Sequence, residues 1–600
     1  MNRNQEYKDK VYKDAGVERG VAAKAMTVII ALILALVLTL TSCGSTAEAG
    51  SAGGVTSQTS TEASYNAASK SEMFTERDLS GDYDESEAET ITLRGSSIET
   101  SASSGVSIDG STITISAEGV YVVSGTLADG QIIVDADDAA KVQIVLKGAS
   151  VTSSDSAAIY VKSADKVFVT TAEGTENTLA NGGSFVADGD TNVDGAVFAK
   201  DDITFNGSGS LTIDSPAGHG IVGKDDVKIA GGTVTINAAN HGIQANDSVR
   251  VAEATLTVNA QTKDGIHVSD DADEEEGTES DSFFYMSDGS LSVSAGDDGI
   301  HADAEVLIEG GTIDVTNSYE GIEALSIKVS GGDIKAVASD DGFNAAGGNA
   351  SSGSQTFGSD DWGGGSKGGF SDGGTDGSIE ISGGTIYVQA GGDGIDSNGS
   401  VAISGGYTVV CGPTQGDTSV IDFNGEGTIT GGTFIGTGGA GMAESFTSAS
   451  QGLIAVSVGS QAAGSAVTLK DAAGSVIAEV TPELDYAVVY VSTQDMAQGE
   501  TYTLTAGTYS ESITLSDIMY STLNGGMGGS FGGGGPRGGM NGEMNGEMNG
   551  EMNGEMGGGM HGGMHRGGRG QGEAPDDITG ATQLDGGSPE GTALNGDTQA

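Results

Sequence analysis

The sequence predicts an all-β protein whose body is a parallel β-helix, a solenoid with three short strands in each turn of about 22 residues. Three observations carry this. One twelve-residue unit recurs between residues 227 and 438, a Gly-Ile block accompanies most copies, and glycine reaches 102 of 600 residues against 6 prolines. That balance is too glycine-rich for an ordinary core and too proline-poor for collagen, but it suits tight turns stacked many times.

The recurring unit reads VKIAGGTVTINA (227–238), VRVAEATLTVNA (249–260), FYMSDGSLSVSA (284–295), VLIEGGTIDVTN (306–317), IKVSGGDIKAVA (327–338), IEISGGTIYVQA (379–390), VAISGGYTVVCG (401–412) and GTITGGTFIGTG (427–438). Its starts lie 22, 35, 22, 21, 52, 22 and 26 residues apart, a base period of 22 with insertions. Each turn then holds three strands, of the forms G-I-x-A, V-x-I and T-V-x-V. Their apolar residues alternate and point inward. Gly-Gly between the last two makes a sharp corner, where positive φ costs nothing. Leucine-rich repeats share the period but need leucines and a helix, and a propeller blade needs about 40 residues. Neither pattern is evident.

Basic residues including Lys8, Lys10, Lys13, Arg19 and Lys24 precede an apolar run from Ala25 to Leu40, short for a membrane span. The run ends in Leu40-Thr41-Ser42-Cys43-Gly44, which reads as a lipobox with Cys43 as the lipidated first mature residue. Residues 1–42 are therefore read as a lipoprotein signal peptide, and an uncleaved signal anchor is the alternative. The chain is expected to be exported, held to the bacterial membrane by its lipid, exposed at the cell surface, and monomeric. Residues 43–72 are a Ser/Thr/Ala/Gly tether. Residues 73–450 form the solenoid, 451–520 a small antiparallel β module or cap, and 521–600 a Gly/Met/Asn-rich spacer. His561 and His565 lie among the methionines of that tail. Of the 2 cysteines only Cys411 remains for the body, as an inert buried thiol, so no disulfide staples the fold.

The chain carries 85 acidic against 25 basic residues, a net charge of -60. Nucleic acid is excluded as a partner, because binding it needs a basic footprint. The acids concentrate where the Gly-Ile blocks align. The position before the glycine holds His219, His241, Asp264, Asp298, Glu320, Asp341 and Asp393. The position after the isoleucine, outward by alternation, holds Val222, Gln244, His267, His301, Glu323, Asn344 and Asp396. Asp297, Asp303 and Asp340 sit beside them. Stacked about 4.8 Å apart, these columns form a strip of carboxylates along one corner. Two like charges about 5 Å apart cost about 3 kcal/mol at an effective dielectric near 20, so the strip takes up protons or holds a cation. Calcium fits: it is hard and takes 6–8 oxygens in flexible geometry. Zinc wants more His or Cys than the strip offers. A solvated acidic corner, with Asp-Gly chosen for turn geometry, is the alternative.

At this point the sequence resembles a known family. The block GVYVVSGT (119–126), Ala157-Ala158-Ile159-Tyr160, Thr175-Glu176-Asn177 and the Asp-Gly-Ile turns with Gly-Gly-Thr corners resemble the clostridial carbohydrate-binding β-helix lipoproteins over about residues 75–440. The resemblance implies a right-handed parallel β-helix that binds calcium in an arrangement similar to family 9 pectate lyases. It implies recognition of plant cell-wall polysaccharide, cellulose or pectic polygalacturonate. The matching Asp-Gly-Ile acids are Asp264, Asp298 and Asp393, with Asp341 in Asp-Gly-Phe. Glu320 and His241 depart from the pattern.

The expected function is calcium-dependent polysaccharide binding, with Tyr285, Tyr319, Tyr387 and Trp362 offering faces to sugar rings. Tyr285 and Tyr387 face outward by alternation within their strands. Two alternatives stand beside it. A lyase needs a basic side chain with a lowered pKa. Lys263 is the best-placed lysine, but its neighbour Asp264 moves its pKa the wrong way. A structural adhesin would use calcium only to stiffen the solenoid. The acidic insertion 270–276 and the Gly/Ser/Asp-rich insertion near 347–376 project as loops.

Overall fold

The Gly-Gly corners set the geometry of each coil. Their second glycine takes positive φ throughout the array, as at Gly232 (φ 73), Gly311 (φ 84), Gly384 (φ 86) and Gly432 (φ 74). Two repeats lack Gly-Gly: 284–295 keeps the second glycine as Gly289 (φ 89), and 249–260 has Glu253, in the place of the first glycine, at φ 55, the sole non-glycine with positive φ among the described residues. This computed structural model describes residues 73–269, 282–345, 377–413 and 418–523. Cys43, Trp362, the acidic stretch 270–276 and the Gly/Met-rich tail lie outside them.

Between corners the chain runs in short strands that pair in parallel with their equivalents one turn on. The first ladder passes through Gly195–Ala199, His219–Gly223, Ile243–Ala245, Ile266–Val268, Ile300–Ile308, Ile322–Val329, Phe343–Ala345, Ile395–Ser397 and Asp422–Phe423. The second includes Lys166–Thr171, Ile203–Gly207, Val227–Ile229, Ser248–Val251 and Phe283–Met286. The third includes Ser210–Ser215, Thr233–Ala238, Thr255–Ala260, Ser290–Ser294 and Thr312–Ser318. This is the expected all-β solenoid with three strands per turn.

Alternation sends one row of each ladder inside. Ile243, Ala245, Val249, Val251, Leu256 and Val258 of one turn stack under Ile266, Val268, Phe284, Met286, Leu291 and Val293 of the next, all at most 1% exposed. The glycine of each Gly-Ile block is sterically required. A Cβ on Gly242 would lie 2.1 Å from Val258 Cγ1 and 2.6 Å from the Gly265 carbonyl oxygen. Cys411 is a buried free thiol, as expected.

Both ends of the array are covered. The C-terminal module lays Tyr486–Thr493 antiparallel on Thr433–Gly438, the last strand of the third ladder, and adds a four-stranded antiparallel sheet. At the other end, hairpins over Glu89–Thr100 and Val106–Ile115 open the first coils.

Residues 73–85 do not belong to a coil, although the sequence reading begins the solenoid at Met73. They run as a strap over the outside of the second ladder. A short helix, Glu76–Leu79, is fixed by a capping box between Thr75 and Asp78. Asp78 is fully buried, accepts from Thr204 Oγ1 at 2.9 Å and pairs with Lys166 Nζ at 2.8 Å. Burial works against its charge, but Lys166 and Thr75 outweigh burial and bring its pKa down to about 2. Met73 and Phe74 pack on Ala230, Ala252, Tyr285 and Leu307.

Candidate metal and carbohydrate site

The site lies on the outside of the first ladder, where the residue after each isoleucine stacks on its counterpart. Read along the array the column is Tyr160, Phe198, Val222, Gln244, His267, His301, Glu323, Asn344, Asp396 and Asp422. Its chemistry changes along the axis. Tyr160, Phe198 and Val222 form an apolar cluster under Val193, the middle is imidazole, and the far end is oxygen.

The neighbouring column, before each glycine, is built by a second device. Four of its acids, Asp264, Asp298, Asp341 and Asp393, use a carboxylate oxygen to accept the backbone N–H of the residue in the equivalent place on the next turn. Asp264 Oδ1 accepts from Asp298 at 3.1 Å, Asp298 Oδ1 from Glu320 at 3.1 Å, and Asp341 Oδ1 from Asp393 at 2.5 Å. Asp393 Oδ1 accepts from Ser419 in the same way. Backbone bonds run alongside, such as Gly299 N–H to the Glu320 carbonyl at 2.9 Å. Half of each of these four carboxylates is thus committed to the fold, and the other oxygen is left to face its neighbours.

Those neighbours are carboxylates. Burial, then the charges of adjacent acids, pushes Asp341 up to about 8 and Asp298 and Asp393 to about 7. Asp396 rises to about 6 by burial and Asp422, and Glu320 rises well above its ordinary range by burial and Glu323. Asp297 is raised by burial and Asp264. His301 is raised well above its ordinary value. Burial opposes it, but hydrogen bonds to Asp298, Asp303 and Glu323 prevail; Nδ1 lies 2.6 Å from Glu323 Oε2 and Nε2 lies 3.1 Å from Asp303 Oδ1.

The oxygen-rich end fits a hard cation. Asn344 Nδ2 donates to Glu320 Oε2 at 2.8 Å, while Asn344 Oδ1 is buried without a hydrogen-bond partner. Asp340 and Asp341 converge on Gly392, where a Cβ would stand 2.3 and 2.4 Å from their Oδ1 atoms. Glu320, Asp341, Asn344, Asp393 and Asp396 supply oxygens alone, the donor type calcium takes. Asp264, Asp297 and Asp298 also bring oxygens within 4.8 Å of one another.

Two features escape a column-by-column reading of the sequence. The strip continues to Asp422 and Glu444; burial, then Asp422, raises Glu444 to about 7. The signal is Ser419-Val420-Ile421-Asp422, one more turn in which valine replaces the glycine. The second feature is a stack of four imidazoles. His219, His241, His267 and His301 lie ring on ring, with centroids 5.1, 4.4 and 5.0 Å apart and planes within 20°. Two come from each column, so no single column displays them.

The aromatic expectations divide. Tyr319 is 41% exposed beside Glu320, and its hydrogen bond to Asp340 raises its pKa. Tyr285 does point away from the core, but the strap covers it. It is 0% exposed, packs against Phe74 and donates to Glu309 Oε2 at 2.6 Å. It is therefore corrected from a sugar platform to a strap anchor. Tyr387 is half-buried against the C-terminal module's core. Tyr407, which the sequence reading passes over, is 40% exposed on the third ladder.

A family profile described as "Carbohydrate-binding domain-containing protein" matches residues 109–361. A protein of that same description from Acetivibrio thermocellus is 37% identical over 136 residues, 22% of this chain. The chain spans about half the length of that curated relative, 48%. A solved structure of a polysaccharide lyase-like protein from C. thermocellum, a gadolinium derivative, aligns at 28% identity and a TM-score of 0.34. It covers 41% of this chain and 93% of the other.

Proposed function

We propose that the chain binds plant cell-wall polysaccharide, pectic polygalacturonate or cellulose, through calcium held on the oxygen-rich end of the first-ladder strip. The observation that carries this reading is the succession of Glu320, Asp341, Asn344, Asp393 and Asp396 on adjacent turns of the strip, an oxygen-only stretch. Its buried acids are raised by burial and then by neighbouring carboxylates, and Asn344 Oδ1 has no hydrogen-bond partner. A calcium ion there neutralises the carboxylates and offers open positions to uronate carboxylates or sugar hydroxyls. Tyr319, exposed at the rim, gives a sugar ring a face to stack on. The matching family description and the relative's name point to the same class of ligand.

Binding is favoured over cleavage. Lys263, beside the strip, is exposed; Lys228, whose pKa burial lowers, and Lys166 lie on the second ladder, paired with Asp226 and Asp78 and not on the strip. We read the protein as a lipid-anchored module at the bacterial surface, with Cys43 as anchor and residues 43–72 as tether.

The test is retention of the soluble mature chain, residues 44–600, on insoluble pectate and on cellulose, first in calcium and then in chelator. Retention that chelator abolishes supports the reading. No retention on either polymer in either condition sinks it and leaves an adhesin stiffened by calcium. Release of unsaturated uronide from pectate would turn the reading to a lyase.

A further inference from the structure

The imidazole stretch of the strip differs in kind from the oxygen-rich end. Four of the chain's 6 histidines stand in one stack. Within it His241, Asp264 and His267 each bring a ligand atom within 4.8 Å of the others. We infer that these three side chains form a site for a borderline divalent transition ion such as zinc, separate from the calcium end.

The donor atoms are individually prepared. The Asp264 backbone N–H donates to His241 Nδ1 at 3.2 Å, so that nitrogen is the unprotonated one, and an ion bound there takes its lone pair over from this N–H. Asp264 Oδ1 is held by the Asp298 N–H at 3.1 Å, which leaves Oδ2 directed at the rings. Oδ2 lies 3.3 Å from His241 Nδ1 and 2.7 Å from His267 Nδ1. Ligand edges in a tetrahedral zinc site are about 3.4 Å, from metal–ligand bonds of about 2.0–2.1 Å. The first separation is already an edge of that length. The second is a hydrogen bond that opens by about 0.7 Å when an ion replaces the shared proton.

The outer shell is also present. His267 Nε2 lies 3.0 Å from Ser269 Oγ, and a ligating histidine characteristically holds its other ring nitrogen on such a partner. The three side chains are 11, 5 and 15% exposed, so the cluster is sheltered but reachable. Two imidazole nitrogens and one carboxylate oxygen favour zinc, nickel or cobalt, whereas calcium takes oxygen alone. The metal preference of the strip therefore changes along its axis, from nitrogen-rich at His241 to oxygen-only past Glu320.

The test uses the mature chain, stripped with chelator, in a His561→Ala, His565→Ala background so that the tail cannot contribute. Cobalt is titrated and its visible absorption followed, then zinc is added in competition; calcium binding is measured separately. The expected result is one cobalt per chain, displaced by zinc, with an intensity typical of fewer than six ligands. His241→Gln and His267→Gln should each weaken zinc more than 10-fold, and Ser269→Ala about 10-fold, with calcium binding unchanged. Circular dichroism on each variant confirms the fold. Gln keeps a hydrogen-bonding side chain beside Asp264, so a folded variant is available. Absence of cobalt and zinc binding in the parent protein at micromolar concentration overturns the inference. So does unchanged zinc affinity in both glutamine variants. Neither result touches the calcium reading, which Asp341→Asn and Asp393→Asn test independently.

Discussion

Asp298 Oδ1 accepts the backbone N–H of Glu320, its counterpart one turn further on, at 3.1 Å. One carboxylate oxygen therefore joins two coils while the other faces the strip. The two roles separate by substitution. Asp298→Ala leaves a buried N–H unsatisfied and should cost about 1–3 kcal/mol in denaturant unfolding. Asp298→Asn keeps an acceptor and removes charge. In chelator it should be as stable as the parent protein or more so, and its stabilisation by calcium should shrink.

The raised acids set the pH dependence of the metal-free protein. Asp298, Asp341 and Asp393 have ordinary values of 3.8 and folded values of about 7, 8 and 7. Between about pH 4 and pH 8 the folded chain holds more protons than the unfolded chain, so stability falls as pH rises. His219, brought down to about 3 by burial and His241, and His241, lowered by burial, act in the opposite sense, but only below their ordinary value of 6.5. Thermal unfolding in chelator should thus give a lower midpoint at pH 8 than at pH 6.5. Calcium should recover more at pH 8. An equal midpoint at both pH values would contradict the placement of these acids.

The strap hangs on one buried pair. Asp78→Ala leaves the Lys166 ammonium, 8% exposed, with only Asp202 at 3.4 Å. Losing a buried partner costs about 3–5 kcal/mol, and the remaining Asp202 sets the expectation at the lower end. Chemical denaturation measures it. Protease cleavage within residues 73–85 should accelerate in parallel.

Gly242 has no room for a side chain where it stands. Gly242→Ala would place a methyl 2.1 Å from Val258 Cγ1. Overpacking of this kind costs about 1–3 kcal/mol, which a lowered melting midpoint would show. Little change would mean that the third ladder can yield.

The two tyrosines should behave oppositely. Tyr319→Ala, at an exposed site, should lower retention on polysaccharide and leave the melting midpoint nearly unchanged. Tyr285→Ala empties a buried site and should destabilise by about 3–5 kcal/mol, with retention by the folded fraction intact.

The solenoid is legible in the sequence because its local rules repeat. Positive φ at the Gly-Gly corners, inward alternation and the Asp-Gly-Ile blocks each recur with the same period, and the structure sets them in register. What is lost is what crosses that register. The strap contacts coils far along the chain, Asp78 meeting Thr204 and Met73 meeting Arg250, and no periodicity marks those pairings. Tyr285 is outward by alternation, yet buried by residues that a strand pattern does not include. The imidazole stack joins His241 of one column to His267 of the other, so reading each column by itself understates the nitrogen donors. Asp422 is missed because Val420 stands where the motif has glycine.

The most direct test of the central claim is a calcium titration by calorimetry on the mature chain, with and without a soluble oligogalacturonate. If calcium bridges protein and sugar, each must strengthen the other by the same factor. Calcium should then bind more tightly when the oligosaccharide is present, and Asp341→Asn with Asp393→Asn should abolish both the binding and the coupling. Oligosaccharide binding of equal strength in calcium and in chelator would contradict the account.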